Sequence, residues 1–170
     1  MKSKMPPKGA GRSDIFYTPE SAILPVIEYI PKGFKIWECA QGEGYMVDVF
    51  RSHGFDCIGT DETEGFDFLD TFSSALVGDF DCIITNPPYS IKDKFLERCY
   101  DIGKPFALLM PITALGEQAR VKMYKDHGIE ILLLPKRVDF ITPSGEGQGA
   151  WFYCAWFCWK LLPEQINFAD

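Results

Sequence analysis

Apolar residues along this chain fall into short β-prone runs and longer stretches with the spacing of an amphipathic helix. The β-prone runs predict strands at residues 34–40, 55–60, 80–85, 104–111 and 129–134. The helical stretches predict helices at about 19–30, 45–53, 71–77 and 113–126, with another beginning after Ser90. Because strands and helices alternate, we expect an α/β fold with a mostly parallel sheet and helices on both faces.

The last part of the chain breaks this alternation. Residues 136–141 and 150–161 read as two strands joined by the Gly-rich segment 142–149, with no helix between them, so we expect antiparallel pairing. Both faces of the second strand are apolar, which is typical of a strand covered by helices on each side. Its predicted faces are Trp151, Tyr153, Ala155, Phe157 and Trp159 on one side, and Phe152, Cys154, Trp156 and Cys158 on the other. These aromatic residues are expected in the core, whereas the Gly-rich loop is the better candidate for substrate contacts.

Length and composition favour one folded domain. The chain has 170 residues and 46% hydrophobic residues, which predicts a single domain at 13–170 preceded by a flexible basic tail at 1–12. No apolar run reaches the roughly 18 residues that a membrane span needs, and the basic start lacks the apolar stretch of a secretory signal. The six cysteines lie mostly in predicted strands and never form Cys-x-x-Cys, which favours reduced core residues in a cytoplasmic protein over a metal site.

The net charge of −7 is unusual for a protein that binds nucleic acid, because such domains tend to carry a basic surface. Net charge governs long-range attraction, however, and does not determine what a local patch can hold.

A glycine turn, Gln41-Gly42-Glu43-Gly44, follows the first predicted strand and precedes a helix, as in units that bind nucleotide-like ligands. The neighbouring carboxylates Glu38 and Glu43 would repel a pyrophosphate and suit a cationic ligand.

Two further carboxylates follow the glycine turn. Asp61 ends the next strand, where an acidic residue can bind ribose hydroxyls. Asp67 lies between Phe66 and Phe68 and could accept a hydrogen bond from an adenine amino group. The alternative for Asp67 is an exposed position on a buried edge strand.

Asn86-Pro87-Pro88-Tyr89 follows the central predicted strand. Each proline lacks an N–H and fixes its φ angle, so the segment is expected to be a stiff loop at the carboxyl edge of the sheet. An amide, a free carbonyl and an aromatic ring in such a loop can hold a planar heterocycle, although a Pro-rich surface turn remains an alternative.

Taken in order, these motifs resemble S-adenosylmethionine-dependent amino-methyltransferases of the Asn-Pro-Pro-Tyr type, closest to the DNA adenine N6 group, over nearly the whole chain. The resemblance implies a single-domain Rossmann-like methyltransferase fold, with a mostly parallel sheet and a C-terminal antiparallel hairpin strand. It also implies a cofactor site. The implied cofactor residues are Tyr17, Thr18, Pro19, Glu38, Cys39, Ala40, Gly42 and Gly44 near the methionine part, Asp61 and Glu62 at the ribose, and Asp67 and Phe68 at the adenine.

The implied reaction is methyl transfer to the exocyclic N6 amine of adenine in DNA, with Asn86, Pro87, Pro88 and Tyr89 as catalytic residues. The Asn86 amide oxygen and the Pro87 carbonyl would accept the two amino hydrogens, and Asn86 would also border the cofactor. Tyr89 would stack on the target base, which in a duplex must leave the helix. Positioning and charge stabilisation would carry the catalysis, without a metal or a strong general base.

One departure from the resemblance concerns target recognition, because neither residues 70–80 nor the tail after Trp159 leaves room for a recognition domain. Specificity is then loose, or comes from the 142–149 loop and the tail, or is supplied by a partner protein or another copy of the chain. Four basic residues are expected near the mouth of the site, as phosphate contacts or simply as a solvated face: Lys92, Lys94, Lys136 and Arg137.

The acceptor also has alternatives. The same chemistry suits cytosine N4, an RNA base or a protein glutamine side chain, and a non-catalytic subunit that binds nucleic acid is a further alternative. We expect nucleic acid, most readily DNA, as the partner and no association with a membrane.

Overall fold

The computed structural model describes residues 17–141 and 152–170. The predicted basic tail at 1–12 lies outside these residues, as do residues 13–16, the Gly-rich loop at 142–149 and Trp151.

Within the described residues the chain forms seven strands and five α-helices. The strands are β1 (Lys35–Glu38), β2 (Asp56–Gly59), β3 (Cys82–Thr85), β4 (Phe106–Pro111), β5 (Glu130–Leu133), β6 (Cys154–Trp159) and β7 (Ile166–Phe168). The helices are α1 (Glu20–Ile27), α2 (Tyr45–Ser52), α3 (Ser73–Leu76), α4 (Lys92–Ile102) and α5 (Gln118–His127). The five strands predicted between residues 34 and 134 are present but shorter, and β7 was not predicted.

The seven strands form one sheet in the order β2-β1-β3-β4-β6-β5-β7. Neighbours pair in parallel except at β6, which is antiparallel to both β4 and β5. The expected α/β architecture, a mostly parallel sheet with an antiparallel element near the C-terminus, is therefore confirmed.

The predicted hairpin partner of β6 is wrong. Residues 136–141 form no strand, and Ile141 instead makes an isolated bridge to Tyr17 through two backbone hydrogen bonds of 2.9 and 3.0 Å. Val138 and Phe140 are buried as loop residues, which explains why their alternation resembled a strand. Because β6 is apolar on both faces, it needs a covered central position, and it takes one between β4 and β5.

The sheet separates two hydrophobic cores. α1 and α2 cover one face through residues such as Ile23 and Phe50, and α4 and α5 cover the other through residues such as Leu96 and Tyr124. The described residues of the predicted strand at 150–161 divide as expected in most positions, with Phe152, Cys154, Trp156 and Cys158 in the first core and Ala155, Phe157 and Trp159 in the second. The prediction is wrong for Tyr153, which precedes the first residue of β6 and is 51% exposed.

The start of α1 differs from the sequence prediction. The predicted helix at about 19–30 begins at Glu20 and ends at Ile27, and Pro19 precedes it with an extended backbone, ψ 150°. Thr18 makes no side-chain cap and is instead 4% exposed, packed beside the glycine turn. The buried Trp156 indole N–H donates to the Ala22 carbonyl at 2.8 Å, which fixes α1 to the middle of the sheet.

The six cysteines are buried thiols, and none of them forms a disulfide. Burial raises their pKa values, to about 11 for Cys154 and to about 12 for Cys57 and Cys82, so these thiols stay protonated at neutral pH. Among the described residues, no helix has the length and apolar character to cross a membrane.

Candidate cofactor and acceptor site

A cavity of about 400 Å³ lies at the carboxyl edge of the sheet, within the range of small-molecule sites. The ends of β1, β2 and β3 form its floor, the first turn of α4 forms one side, and Tyr17 and Thr18 form another. The described lining residues carry five carboxylates and a single lysine, which are Glu38, Glu43, Asp61, Glu62, Asp67 and Lys94. The cavity is therefore suited to a ligand with positive charge.

The glycine turn after β1 is fixed to the loop that follows β2. Gly42 has φ +53° and Gly44 has φ +83°, conformations that favour glycine. The Gly44 N–H donates to the Gln41 carbonyl at 2.8 Å, which closes the turn. The Gly42 N–H donates to Asp61 Oδ2 at 2.9 Å, and the Gln41 N–H donates to the Thr60 carbonyl at 3.0 Å. These bonds hold the two loops together as one wall of the cavity.

Gly59, the last residue of β2, is required by a close approach that the sequence pattern did not indicate. A Cβ atom added there would lie 1.9 Å from Gln41 Oε1 and 2.9 Å from Val47 Cγ2. The Gln41 side chain packs in this space and donates from Nε2 to Glu64 Oε2 at 2.9 Å. The glycine turn therefore depends on a second glycine in the neighbouring strand.

Asp61 has both carboxylate oxygens engaged. Oδ1 accepts from the Thr63 hydroxyl at 2.6 Å and from the Thr63 N–H at 3.0 Å, while Oδ2 accepts from Gly42. Partial burial raises the pKa of Asp61, but the bonds from Thr63 and Gly42 outweigh that effect and lower it below its ordinary value. Asp61 is therefore an anion at neutral pH, and each oxygen keeps lone-pair capacity for a ligand hydroxyl.

Glu38 is the most buried carboxyl of the cavity, at 1% exposed. Its Oε1 accepts a 3.0 Å hydrogen bond from the Ala40 N–H. Burial, together with the negative charge of Asp61, raises the pKa of Glu38 to about 7, against the lowering effect of Ala40 and of the neighbouring Thr85 hydroxyl. The Thr85 hydroxyl makes no hydrogen bond of standard geometry among the described residues. Glu38 is consequently divided between its neutral and ionised forms near neutral pH.

Asp67 lines the cavity, whereas Phe68 does not. Asp67 Oδ1 accepts from the Leu69 N–H at 2.8 Å, so this segment is a turn and the alternative of an edge strand is wrong. Phe68 is 2% exposed, with its ring 5.2 Å from that of Trp37 and 4.8 Å from that of Phe95. The lining of the cavity also includes the apolar side chains of Leu69, Ile91 and Phe95.

The segment after Asp67 is held by α4. Arg98 donates from Nη2 to the carbonyls of Asp70 and Thr71 at 3.2 and 2.8 Å. The buried Ser73 hydroxyl donates to the Phe68 carbonyl at 2.9 Å. Arg98 therefore supports the loop that carries Asp67 without lining the cavity itself.

The Asn-Pro-Pro-Tyr segment leaves β3 at the rim of the cavity. Asn86 and Pro88 line it, and Pro87 is buried beside them. The Asn86 Oδ1 atom is buried and has no hydrogen-bond partner among the described residues. A buried amide oxygen without a partner is costly, and such atoms commonly belong to binding or catalytic sites.

Tyr89 does not line this cavity. Its hydroxyl is 3.5 Å from Cys154 Sγ, and its ring makes edge contacts with Phe140 and Phe152 at centroid distances of 6.4 and 5.7 Å. Burial raises the pKa of Tyr89 well above its ordinary value. We refer to residues 86–89 as the Asn86 loop, whose half-buried Tyr89 ring packs against Phe140 and the start of β6.

Most of the residues expected at the site come together. Those that line the cavity are Tyr17, Thr18, Glu38, Cys39, Ala40, Gly42, Asp61, Glu62, Asp67, Asn86 and Pro88, whereas Pro19, Gly44, Phe68, Pro87 and Tyr89 do not. The lining residues that the sequence did not predict include Met46, Leu69, Ile91 and Phe95. Two others are polar, namely Tyr45, whose ring lies 4.6 Å from that of Tyr17, and Thr63. Both follow a predicted site residue by one or two positions, which is the signal that could have identified them.

No protein-family model matches this chain, and no curated protein matches its sequence. The class of ligand must therefore be inferred from the cavity itself: an acidic wall, a glycine turn and a buried amide oxygen without a partner among the described residues.

Proposed function

We propose that this protein is an S-adenosylmethionine-dependent methyltransferase that methylates the exocyclic N6 amine of adenine in DNA. The observation that carries the proposal is the buried Asn86 Oδ1, unpartnered within the described part of the chain, at the rim of an acidic cavity. A glycine turn after β1 and a ligand cavity at the carboxyl edge of parallel strands support a Rossmann-like methyltransferase fold.

The residues of the cavity fit the cofactor. S-adenosylmethionine carries an ammonium and a sulfonium group but no phosphate, and the cavity wall offers five carboxylates. Glu38, beside the glycine turn, is suited to the ammonium group, because a nearby cation favours the ionised form of a buried carboxyl. Asp61 and Glu62 are suited to ribose hydroxyls, and Asp67 to the adenine amino group.

Asn86 and Pro87 are suited to hold the acceptor amine. The Asn86 amide oxygen and the Pro87 carbonyl can each accept one amino hydrogen, which draws the nitrogen lone pair out of conjugation and directs it towards the methyl donor. When bound, the cofactor supplies an electrophilic methyl group on its sulfonium. The loop is stiff, so these acceptors are positioned before the substrate arrives.

Tritium transfer from labelled cofactor to DNA, RNA and protein, followed by nucleoside and amino-acid analysis, tests the proposal. We expect label in N6-methyladenine from DNA. Label in N4-methylcytosine, in RNA or in glutamine would instead assign one of the other acceptors, and no transfer to any polymer would favour a non-catalytic subunit.

Asn86→Ala tests the mechanism. We expect transfer to fall by about 100-fold or more, as when one preorganised polar group is removed from an active site, while the cofactor Kd changes little. Activity close to that of the unmodified protein would contradict the assigned role.

Asp61→Ala provides a complementary test of the cofactor site. Its carboxylate bonds both the glycine turn and Thr63, so we expect cofactor binding by calorimetry to weaken roughly tenfold or more. An unchanged cofactor affinity would rule out Asp61 as part of the site.

A further inference from the structure

An exposed aromatic residue lies beside a cation on the same edge of the sheet as the cavity. Tyr153 is 51% exposed, and the Arg137 guanidinium carbon lies over its ring, 5.0 Å from the centroid. The Tyr153 carbonyl accepts from the Ile112 N–H at 2.9 Å, which places it where β4 ends. We refer to Tyr153 and Arg137 together as the Tyr153 platform.

The platform is close to the Asn86 loop. β3 and β6 are the two neighbours of β4, and Asn86 and Tyr153 lie just beyond the ends of β3 and β6 at this edge. Adjacent strands are about 4.7–4.9 Å apart, and the register places Tyr153 level with Ile112 and Asn86 about three residues earlier along β4, so the two backbones are separated by roughly 14 Å. Phe152 and Cys154, on either side of Tyr153, both contact Tyr89 of that loop. A chain bound with its target group at Asn86 and extending across β4 towards β6 would reach Tyr153.

The charge of the platform is opposite to that of the cavity. Arg137 and Lys136 are exposed, and neither forms an ion pair with another described residue. Asp139 is the acidic residue on the same short segment. In a chain with a net charge of −7, an exposed cation over an exposed ring, with a second exposed cation adjacent in sequence, forms a local site for an anion with aromatic groups.

We propose that the Tyr153 platform stacks a base of the acceptor strand a few nucleotides from the target adenine, with Arg137 contacting the adjacent phosphate. Stacking on tyrosine requires an unpaired base, so the acceptor is bound as a single strand or a locally opened duplex. This inference rests on the proposed function, because it takes the Asn86 loop as the acceptor site. A protein acceptor would supply neither the bases nor the phosphates.

The test uses a fluorescently labelled single-stranded DNA of about 15 nucleotides with one central adenine, titrated with the full chain at several salt concentrations. Tyr153→Ala should weaken binding roughly 5- to 100-fold, whereas Tyr153→Phe, which keeps the ring, should bind like the unmodified protein. Arg137→Ala should reduce the slope of log affinity against log salt by about 0.7, the value for one phosphate contact on a single strand. Phe168→Ala is the matched control, because this aromatic residue is 73% exposed on the edge strand β7, on the opposite side of β6 from the Asn86 loop.

Equal affinity of Tyr153→Ala and the unmodified protein would overturn the proposal, as would an equal loss in Tyr153→Phe or in Phe168→Ala. Tighter binding of the matching duplex than of the single strand would overturn the requirement for an unpaired base, and absence of nucleic-acid binding would overturn the whole inference. Methyl transfer to DNA with no effect at Tyr153 would refute the platform alone. Loss of binding in Tyr153→Ala without transfer to any polymer would refute the proposed function and keep the platform.

Discussion

Glu38→Gln should change how the stability of the protein depends on pH. Glu38 is 1% exposed, and its pKa in the folded protein is about 7, against an ordinary value of 4.5. The folded protein therefore holds the Glu38 proton over a pH interval in which the unfolded chain has already lost it. Because the folded state binds more protons there, the free energy of unfolding falls as the pH rises from about 4.5 to about 7, and levels off above that.

The magnitude follows from the two pKa values. One pKa unit corresponds to about 1.36 kcal/mol, so the interval from 4.5 to about 7 corresponds to roughly 3 kcal/mol of lost stability. The amide that this substitution introduces can still accept the Ala40 N–H but cannot ionise. Relative to Glu38→Gln, the unmodified protein should therefore lose roughly 3 kcal/mol between about pH 4.5 and about pH 8.

The assay is urea unfolding of both proteins in the absence of ligand, at half-unit steps from about pH 4.5 to about pH 8. The difference between the two proteins isolates Glu38, because the other carboxyl groups titrate in both. A difference that stays constant over this range, or that favours the unmodified protein as the pH rises, would refute the assignment of a buried, protonated Glu38.

Three further predictions concern the supports of the site and of the sheet. Gly59→Ala should destabilise the protein by about 1–3 kcal/mol and weaken cofactor binding, because the new Cβ would displace the Gln41 side chain from the glycine turn and lie 2.9 Å from the buried Val47 Cγ2. Gly116→Ala, whose Cβ would be 3.7 Å from its nearest neighbour, is the control, and equal unfolding midpoints would contradict the prediction. Glu130→Ala should lower the free energy of unfolding by roughly 2–4 kcal/mol, because the Glu130 carboxylate accepts hydrogen bonds from the N–H groups of Lys160, Leu161 and Leu162. A loss below about 0.5 kcal/mol in urea unfolding would count against this prediction. Arg98→Met should raise the cofactor Kd roughly tenfold, because it releases the loop after Asp67. Arg98→Lys should restore part of the cofactor affinity. An unchanged Kd by calorimetry would exclude this supporting role of Arg98.

The position of the site could be predicted from sequence because parallel strands bring their carboxyl ends to one edge of a sheet. Glu38, Asp61 and Asn86 each follow or end a strand that was recognised from its apolar run, and all three line one cavity. That these three residues lie close together could therefore be predicted from these parallel strands alone, without knowing how distant segments pack.

Other contacts depend on such packing and could not be predicted. Phe68 follows a cavity residue in sequence, but Trp37 and Phe95, which come from distant elements, draw it into the core. Val138 and Phe140 alternate as in a strand, yet their alternation reflects a buried loop. The buried Asn86 Oδ1 has no hydrogen-bond partner among the described residues. This too depends on how the folded segments surround Asn86, so the sequence Asn86-Pro87-Pro88-Tyr89 does not reveal it.

The central position of β6 has a consequence for how the chain folds. β4 and β5 do not pair with each other, so each leaves an open, apolar edge until β6, which follows β5 in sequence only after a long connection, inserts between them. Contacts between residues so far apart in sequence form slowly, because loop closure must be completed before they stabilise the sheet. During that delay the two unpaired edges can pair with other chains. We therefore expect folding to be limited by the insertion of β6, and aggregation during refolding to increase when that step is slowed.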